Sequence, residues 1–327
     1  MSRYVARRFL YMIFTMAIMS VVAFIIIQLP PGDYLTSYIM QLQTSGQTVD
    51  AAQIEMLRRQ YGLDLPLHEQ YLLWISKIVR GNFGISFDYN RPVLELLAQR
   101  IPITVLISSL TLLVTYVIAI PIGVYSAVRQ YSIVDYVGTV ISFIGLATPN
   151  FLIALILMYA CQRLFGFNAS GLFSPEYANA PWSLAKFIDM LKHLPIPVIV
   201  IGLSGTASVM RVMRASLLDE LKLEYVEAAR AKGLKELALL LRYPVRVALN
   251  PIVSTIGWVL PGILSGATVT AIVLDLPTVG ALMYRALLSQ DMYVAATCVM
   301  FLTFLTVIGT FLSDLLLMWV DPRIRYE

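Results

Sequence analysis

The chain has 327 residues, of which 58% are hydrophobic and 13% are charged, and its formal net charge is +4 at pH 7. A soluble domain carries about a quarter of its residues as charged side chains, so this composition indicates a membrane protein. The small net charge gives no reason to expect nucleic-acid binding. The two cysteines and two histidines form no metal-binding motif, so we expect no metal, no cofactor and no catalytic residue in this chain.

Six apolar stretches are long enough to form transmembrane helices, which need about 20 residues each to cross hydrocarbon. They are 9–29, 103–127, 136–163, 195–214, 248–274 and 294–319. The first follows three arginines, as a signal peptide would, but a signal's apolar run is only about 7–15 residues long. We therefore interpret it as an uncleaved span and predict an all-α integral membrane fold of about six helices.

Lysine and arginine cluster before span one, after span two, between spans four and five, and after span six. If the chain crosses the membrane six times, these four places lie on the same side. The positive-inside rule therefore predicts that both termini are cytoplasmic in a bacterial or archaeal inner membrane. The predicted organisation is a tail and first span at 1–30, an external loop at 31–102, a five-helix core at 103–319 that includes a cytoplasmic loop at 215–247, and a tail at 320–327.

The first external loop has the apolar spacing of short amphipathic helices rather than of a linker. One is predicted near 50–61, where Gly62 is a suitable helix stop. A second is predicted near 67–79, with Leu72, Ile75 and Val79 on one stripe, and a third short one near 93–100.

The segment between spans four and five predicts a short helix at 219–233 that is followed by a second at about 235–242. Acidic residues precede basic ones along the first helix, which complements the helix dipole. Gly233 suits the helix end, and Pro244 stops the second helix. The alanines at 228, 229 and 231 would let another protein surface approach closely. The pattern alone is more typical of a solvated connector than of a docking helix.

The sequence Glu227-Ala228-Ala229 followed by Gly233 resembles the EAA loop of ABC importer permeases. Segments 31–33, 61–66, 211–219, 225–234 and 321–326 also resemble the dipeptide/oligopeptide/nickel permease family. The resemblance implies a type I ABC importer permease architecture with a coupling helix that docks on an ATP-binding subunit. The residues implied in docking are Glu224, Tyr225, Glu227, Ala228, Ala229, Ala231 and Gly233.

The same resemblance implies the partners: a second homologous permease subunit, two ATP-binding subunits or domains that hold ATP and magnesium, and an extracytoplasmic solute-binding protein. The solute could be a peptide, an oligosaccharide or nickel. Many relatives carry a Trp-Pro-Gly-x-Gly-like turn after span five, whereas this chain has Leu276-Pro277-Thr278-Val279-Gly280. That turn is closer to oligosaccharide carriers.

This chain has no GxxxxGK[ST] phosphate-binding loop, so a separate subunit must bind ATP if ATP drives transport. Polar residues on span five are candidates for lining a hydrated path: Ser254, Thr255, Ser265, Thr268 and Thr270.

Three alternative functions can be compared with the sequence. A secondary transporter would place ionisable residues at mid-membrane, but the spans have almost none. Gly202-Leu203-Ser204-Gly205 resembles the nucleophile motif of rhomboid proteases, yet no histidine follows His193 to act as a base. A non-transporting membrane scaffold is left open by the sequence.

Overall fold

The computed structural model describes residues 2–28, 56, 64–178 and 180–320, and within these ranges the chain is almost entirely helical. The described helices are α1 (Ser2–Gln28), α2 (Leu67–Val79), α3 (Val93–Val128), α4 (Ile133–Ala147), α5 (Asn150–Phe165), α6 (Pro175–Ala178), α7 (Leu184–His193), α8 (Pro195–Glu220), α9 (Glu224–Ala231), α10 (Glu236–Arg242), α11 (Pro244–Ala248), α12 (Asn250–Val273), α13 (Val279–Leu288) and α14 (Met292–Val320).

Five helical stretches of the described chain are long and apolar enough to cross a membrane, or six if one bent helix pair is counted as a single crossing. They are Arg7–Ile25, Val93–Val128, Leu184–Glu220, Glu236–Ser254 and Met292–Leu315, with the bent pair α4–α5 as the sixth. The helix α12 covers almost all of the predicted fifth span. The all-α membrane fold predicted from the sequence is therefore confirmed.

The predicted third span, 136–163, is wrong as a single helix. It is divided into α4 and α5, whose axes bend by 110°. Thr148, between them, has the extended backbone angles φ −99° and ψ 128°. The next residue is Pro149, which disfavours helical angles in the residue before it and has no N–H for a helical hydrogen bond. The break is thus a local consequence of one proline.

The external-loop predictions have mixed outcomes. The helix predicted near 67–79 is confirmed as α2, but its predicted stripe is wrong, because Leu72 is 59% and Val79 81% exposed while Trp74 is buried. The helix predicted near 93–100 is not a separate element, since α3 runs on through it. The helix predicted near 50–61 lies outside the described residues except for Met56, so it stays a prediction.

The sequence reading missed two amphipathic helices, α7 and α13, which both follow capping residues. Ser183 accepts a hydrogen bond from the backbone N–H of Lys186, and Thr278 accepts one from that of Ala281. These serine and threonine caps satisfy N–H groups that have no partner in the first helical turn. Ser183 and Thr278 were therefore the residues from which both helices could have been predicted.

The first compact unit comprises 1–103 and 278–305. Its core packs Phe24, Trp74, Val93 and Tyr293 together. Asp291 is fully buried at the start of α14, where its carboxylate accepts hydrogen bonds from the hydroxyl of Ser86 and from the backbone N–H groups of residues 88 and 294. Burial raises the pKa of Asp291, and these donors stabilise its charged form.

The second unit comprises 104–277 and 306–327. Within it α8 is central and packs against α4, α5, α11 and α12. The helices α4 and α8 are antiparallel, because Asp135 pairs with Arg214 while Gly145, further along α4, faces Leu203. Since α8 leads directly into the segment with the Glu-Ala-Ala sequence, its packing fixes where that segment begins.

Candidate functional site

The candidate site is the α9–α10 hairpin, defined as residues 224–242. The predicted helix 219–233 is wrong at its start, because α8 continues to Glu220 and α9 begins only at Glu224. Between them Leu223 has extended angles of φ −80° and ψ 144°, which end one helix and start the next. The described helix Glu236–Arg242 agrees with the predicted second helix, and Pro244 opens α11.

One face of α9 packs inside the hairpin. Val226 and Leu239 are fully buried against each other, and Ala229 is 9% exposed in the same cluster. Ala229 therefore contacts the adjoining helix rather than an outer surface. A larger side chain at this position would overpack the hairpin itself.

The opposite face of α9 is open. Six of the seven residues implied in docking are exposed there or in the turn: Glu224, Tyr225, Glu227, Ala228, Ala231 and Gly233. Ala228 and Ala231 are three residues apart and so lie on the same face of the helix. Their small side chains leave the helix backbone accessible, as close docking against another protein surface requires.

The hairpin turn depends on Gly233, whose φ is +78°. This left-handed conformation is the one predicted for it, and it is unfavourable for residues that carry a side chain. Arg230 and Glu236 form an ion pair across the turn at 2.8 Å. Both side chains are about half exposed, so solvent screens the pair and the glycine remains the main determinant of the turn.

Tyr225 joins the hairpin to the end of α8. Its hydroxyl donates a hydrogen bond to the carboxylate of Glu220 at 2.5 Å. Partial burial, together with this carboxylate, raises the pKa of Tyr225 to about 12. The phenol therefore keeps its proton, and this hydrogen bond, across the physiological pH range.

Apolar packing anchors the hairpin to the membrane core of the second unit. Leu240 of α10 and Val245 of α11 belong to one buried cluster with Met213 and Leu217 of α8. Because packed side chains of this kind are close to incompressible, a displacement of the hairpin would be passed to α8.

The sequence reading missed two exposed leucines on α10. Leu237 is 70% and Leu241 58% exposed, and their four-residue spacing puts them on one helical face. Leu223, before α9, is 45% exposed. The signal that could have found them is two leucines one turn apart in α10, which also begins the apolar stretch Glu236–Ser254.

Three of the five candidate pathway residues have described side chains, and these three differ in exposure. Ser254 is exposed and donates a hydrogen bond to the carbonyl of Asn250 in its own helix, whereas Thr270 is buried and 1% exposed. Thr268 is half-buried. The side chains of Thr255 and Ser265 lie outside the described part of the chain.

The rhomboid-like motif, Gly202 to Ser204 and Gly205, lies against residues of neighbouring helices. The hydroxyl of Ser204 lies 3.4 Å from the side-chain amide nitrogen of Asn150, which donates a hydrogen bond to it. An amide donor cannot remove the proton of a serine, as nucleophilic catalysis requires. Gly202 contacts Thr111 and Thr115 of α3 closely, which agrees with a small-residue helix contact.

Two family models together match nearly the whole chain. The model described as "Binding-protein-dependent transport system inner membrane component" matches residues 119–326. The model described as "Binding-prot-dependent transport system membrane comp, N-term" matches residues 1–109.

Individual relatives match along all or most of their length. The chain is 33% identical to the oligopeptide transport system permease protein AppB of Bacillus subtilis (strain 168), covering 100% of both chains. It is 30% identical to the nickel import system permease protein NikB of Staphylococcus aureus (strain MRSA252), covering 98% of this chain and 91% of the relative. A solved structure of the MetNI methionine ABC transporter, in inward-facing conformations, includes a chain of similar fold, with a TM-score of 0.53, 16% identity, and coverage of 70% of this chain and 97% of that one.

Proposed function

Since this chain belongs to the family of binding-protein-dependent transport system inner membrane components, we propose that it forms half of the translocation pathway of an ATP-driven importer. A second homologous permease forms the other half, and an extracytoplasmic binding protein delivers the solute. Two ATP-binding subunits or domains carry ATP and magnesium and hydrolyse the nucleotide. Alternating access of the paired permeases moves the solute inward, with both termini of this chain on the cytoplasmic side of the inner membrane.

The observation that carries the proposal is the construction of the α9–α10 hairpin. Its inner face is packed by Val226 and Leu239, while the alanines at 228 and 231 are exposed. Their small side chains leave the backbone of α9 accessible, so a partner surface can approach it closely.

The hairpin also has the connection that coupling requires. Tyr225 bonds to the end of α8, and Leu240 packs on the same helix. Movement of an ATP-binding subunit against α9 would therefore reach a central helix of the second unit without passing through a flexible linker.

Peptides are the solute class that we propose first, because oligopeptide permeases are among the relatives that match the chain from end to end. A nickel permease relative makes a nickel importer the second candidate. The turn at 276–280 keeps oligosaccharides as a third. Uptake of each class into proteoliposomes that contain the complete importer and ATP distinguishes them.

The docking surface is tested by replacing Ala228 with tryptophan. Its side chain is exposed, so Ala228→Trp leaves the hairpin core intact while it blocks a close contact. Overpacking a tight contact costs about 1–3 kcal/mol, so we expect binding of the ATP-binding subunits to weaken roughly 5- to 150-fold. The measurement is co-purification of these subunits, with ATP-dependent uptake measured in parallel.

The matched control is Ala178→Trp, which changes an exposed alanine in α6, on a predicted external loop. This control should co-purify the normal complement of ATP-binding subunits. Normal co-purification and uptake with Ala228→Trp would show that the hairpin is a solvated connector and would contradict the proposal.

A further inference from the structure

A groove between α4 and α8 combines apolar walls with two arginines. The proposed coupling function of the α9–α10 hairpin does not require this groove. Its volume is about 200 Å³. Phe143, Leu146 and Met210 supply the apolar lining, while Arg211 and Arg214 lie at one end. All of these residues belong to the second unit, so the groove is formed within one compact body.

The two arginines differ in how their charge is balanced. Arg214 donates from Nε and Nη2 to the two carboxylate oxygens of Asp135, at 2.8 and 3.0 Å. Asp135 is 4% exposed, so this bidentate pair is protected from screening and is electrically neutral. Arg211 is exposed, and among the described residues no carboxylate lies within ion-pair distance of it. The groove therefore carries one net positive charge.

The polarity of the groove changes along its length. Because α4 and α8 are antiparallel, Arg214 lies level with Asp135, and Met210 lies level with Gly138. Phe143 and Leu146 follow Asp135 by 8 and 11 residues, which places them roughly 12–17 Å further along α4 at 1.5 Å per residue. The charged end of the groove is thus beside the first turn of α4, and the apolar end is beside its last turn.

We propose that this groove binds an anionic phospholipid, whose phosphate contacts Arg211 and whose acyl chain lies against Phe143 and Leu146. A phospholipid has the same change of polarity along its length, with its charge at the membrane surface and hydrocarbon below. A water-soluble anion has no apolar part to fill the deep end, and an apolar helix has no charge for Arg211. Both apolar side chains are exposed, at 61% and 40%, as lipid-facing side chains are.

The site is tested on the complete importer complex in nanodiscs of phosphatidylcholine that contain a minor fraction of phosphatidylglycerol. Phosphatidylglycerol retained after mild delipidation is quantified by native mass spectrometry. We expect Arg211→Gln to weaken its binding about fivefold, the contribution of one arginine at an anionic surface. Arg246→Gln, which removes an exposed arginine outside the groove, should leave binding unchanged.

A second variant tests whether free space in the groove is needed, without changing charge. Thr139 lines the groove and is half-buried, so Thr139→Trp should fill the space and reduce lipid retention while Arg211 stays in place. Photo-crosslinking from Phe143→p-benzoyl-phenylalanine should yield lipid adducts.

Three results would overturn the inference. They are equal retention of phosphatidylglycerol and phosphatidylcholine by the unaltered protein, equal losses in Arg211→Gln and Arg246→Gln, and crosslinks from position 143 to the second permease subunit. The last would show that a protein covers the groove.

Discussion

Replacing Gly233 by valine separates the geometry of the hairpin turn from its contacts. At φ +78° a residue with a side chain is strained by roughly 1–2 kcal/mol, and a β-branched residue is a genuine outlier there. A Cβ at this position would meet no atom within 4 Å. The whole cost is therefore backbone strain, with no clash added to it.

The strain can be relieved only if the turn leaves its native conformation. A cost of 1–2 kcal/mol lowers the population of the native turn by up to about 5- to 30-fold. If the ATP-binding subunits bind only the native hairpin, their apparent affinity falls by the same factor. We expect Gly233→Val to show this loss when the purified ATP-binding subunits are titrated onto the permease pair in nanodiscs.

Two further variants make the result specific. Gly233→Asn should bind nearly normally, because asparagine adopts the left-handed conformation with little penalty. Gly81→Val imposes the same strain at φ +76°, also in open space, but in the predicted external loop, so it should not affect this binding. Normal affinity in Gly233→Val would refute the reasoning, as would an equal defect in Gly233→Asn, since strain would then not be the cause.

Two stability predictions concern contacts within each compact unit, and both are checked by thermal unfolding of the purified protein in detergent. Asp291→Ala should lower the unfolding midpoint, because it removes the acceptor of buried hydrogen bonds at a cost of about 1–3 kcal/mol. Its control is Asp88→Ala, which removes an exposed carboxylate. Similar midpoints for the two variants would show that the buried acceptor is dispensable. Gly123→Ala should destabilise by about 1–3 kcal/mol, because a Cβ would lie 2.8 Å from the Cβ of Met213. Gly138→Ala should cost less, since its Cβ would meet the movable end of a methionine side chain at 3.0 Å, and an equal loss would contradict the packing argument.

The sequence by itself determined the fold class and the position of the candidate site. Long apolar runs in lipid can be satisfied only by helices, so the spans follow from composition and length. The hairpin was predictable to within a few residues because specific residue types end its helices. Gly233 takes a left-handed conformation, and Pro244 cannot continue a helix. The start was wrong because nothing between Leu217 and Glu224 forbids a helix, and the break at Leu223 is not marked by a glycine or proline.

Only the tertiary structure decided which side chains face which neighbours. Ala228 and Ala229 are equivalent in sequence, yet packing against Leu239 puts one outside and the other inside the hairpin. Arg211 and Arg214 are likewise equivalent along α8 until Asp135, 79 residues from Arg214, neutralises one of them. Such distinctions arise between segments distant in the chain, where burial and charge pairing are set by the packing of helices and not by local preference.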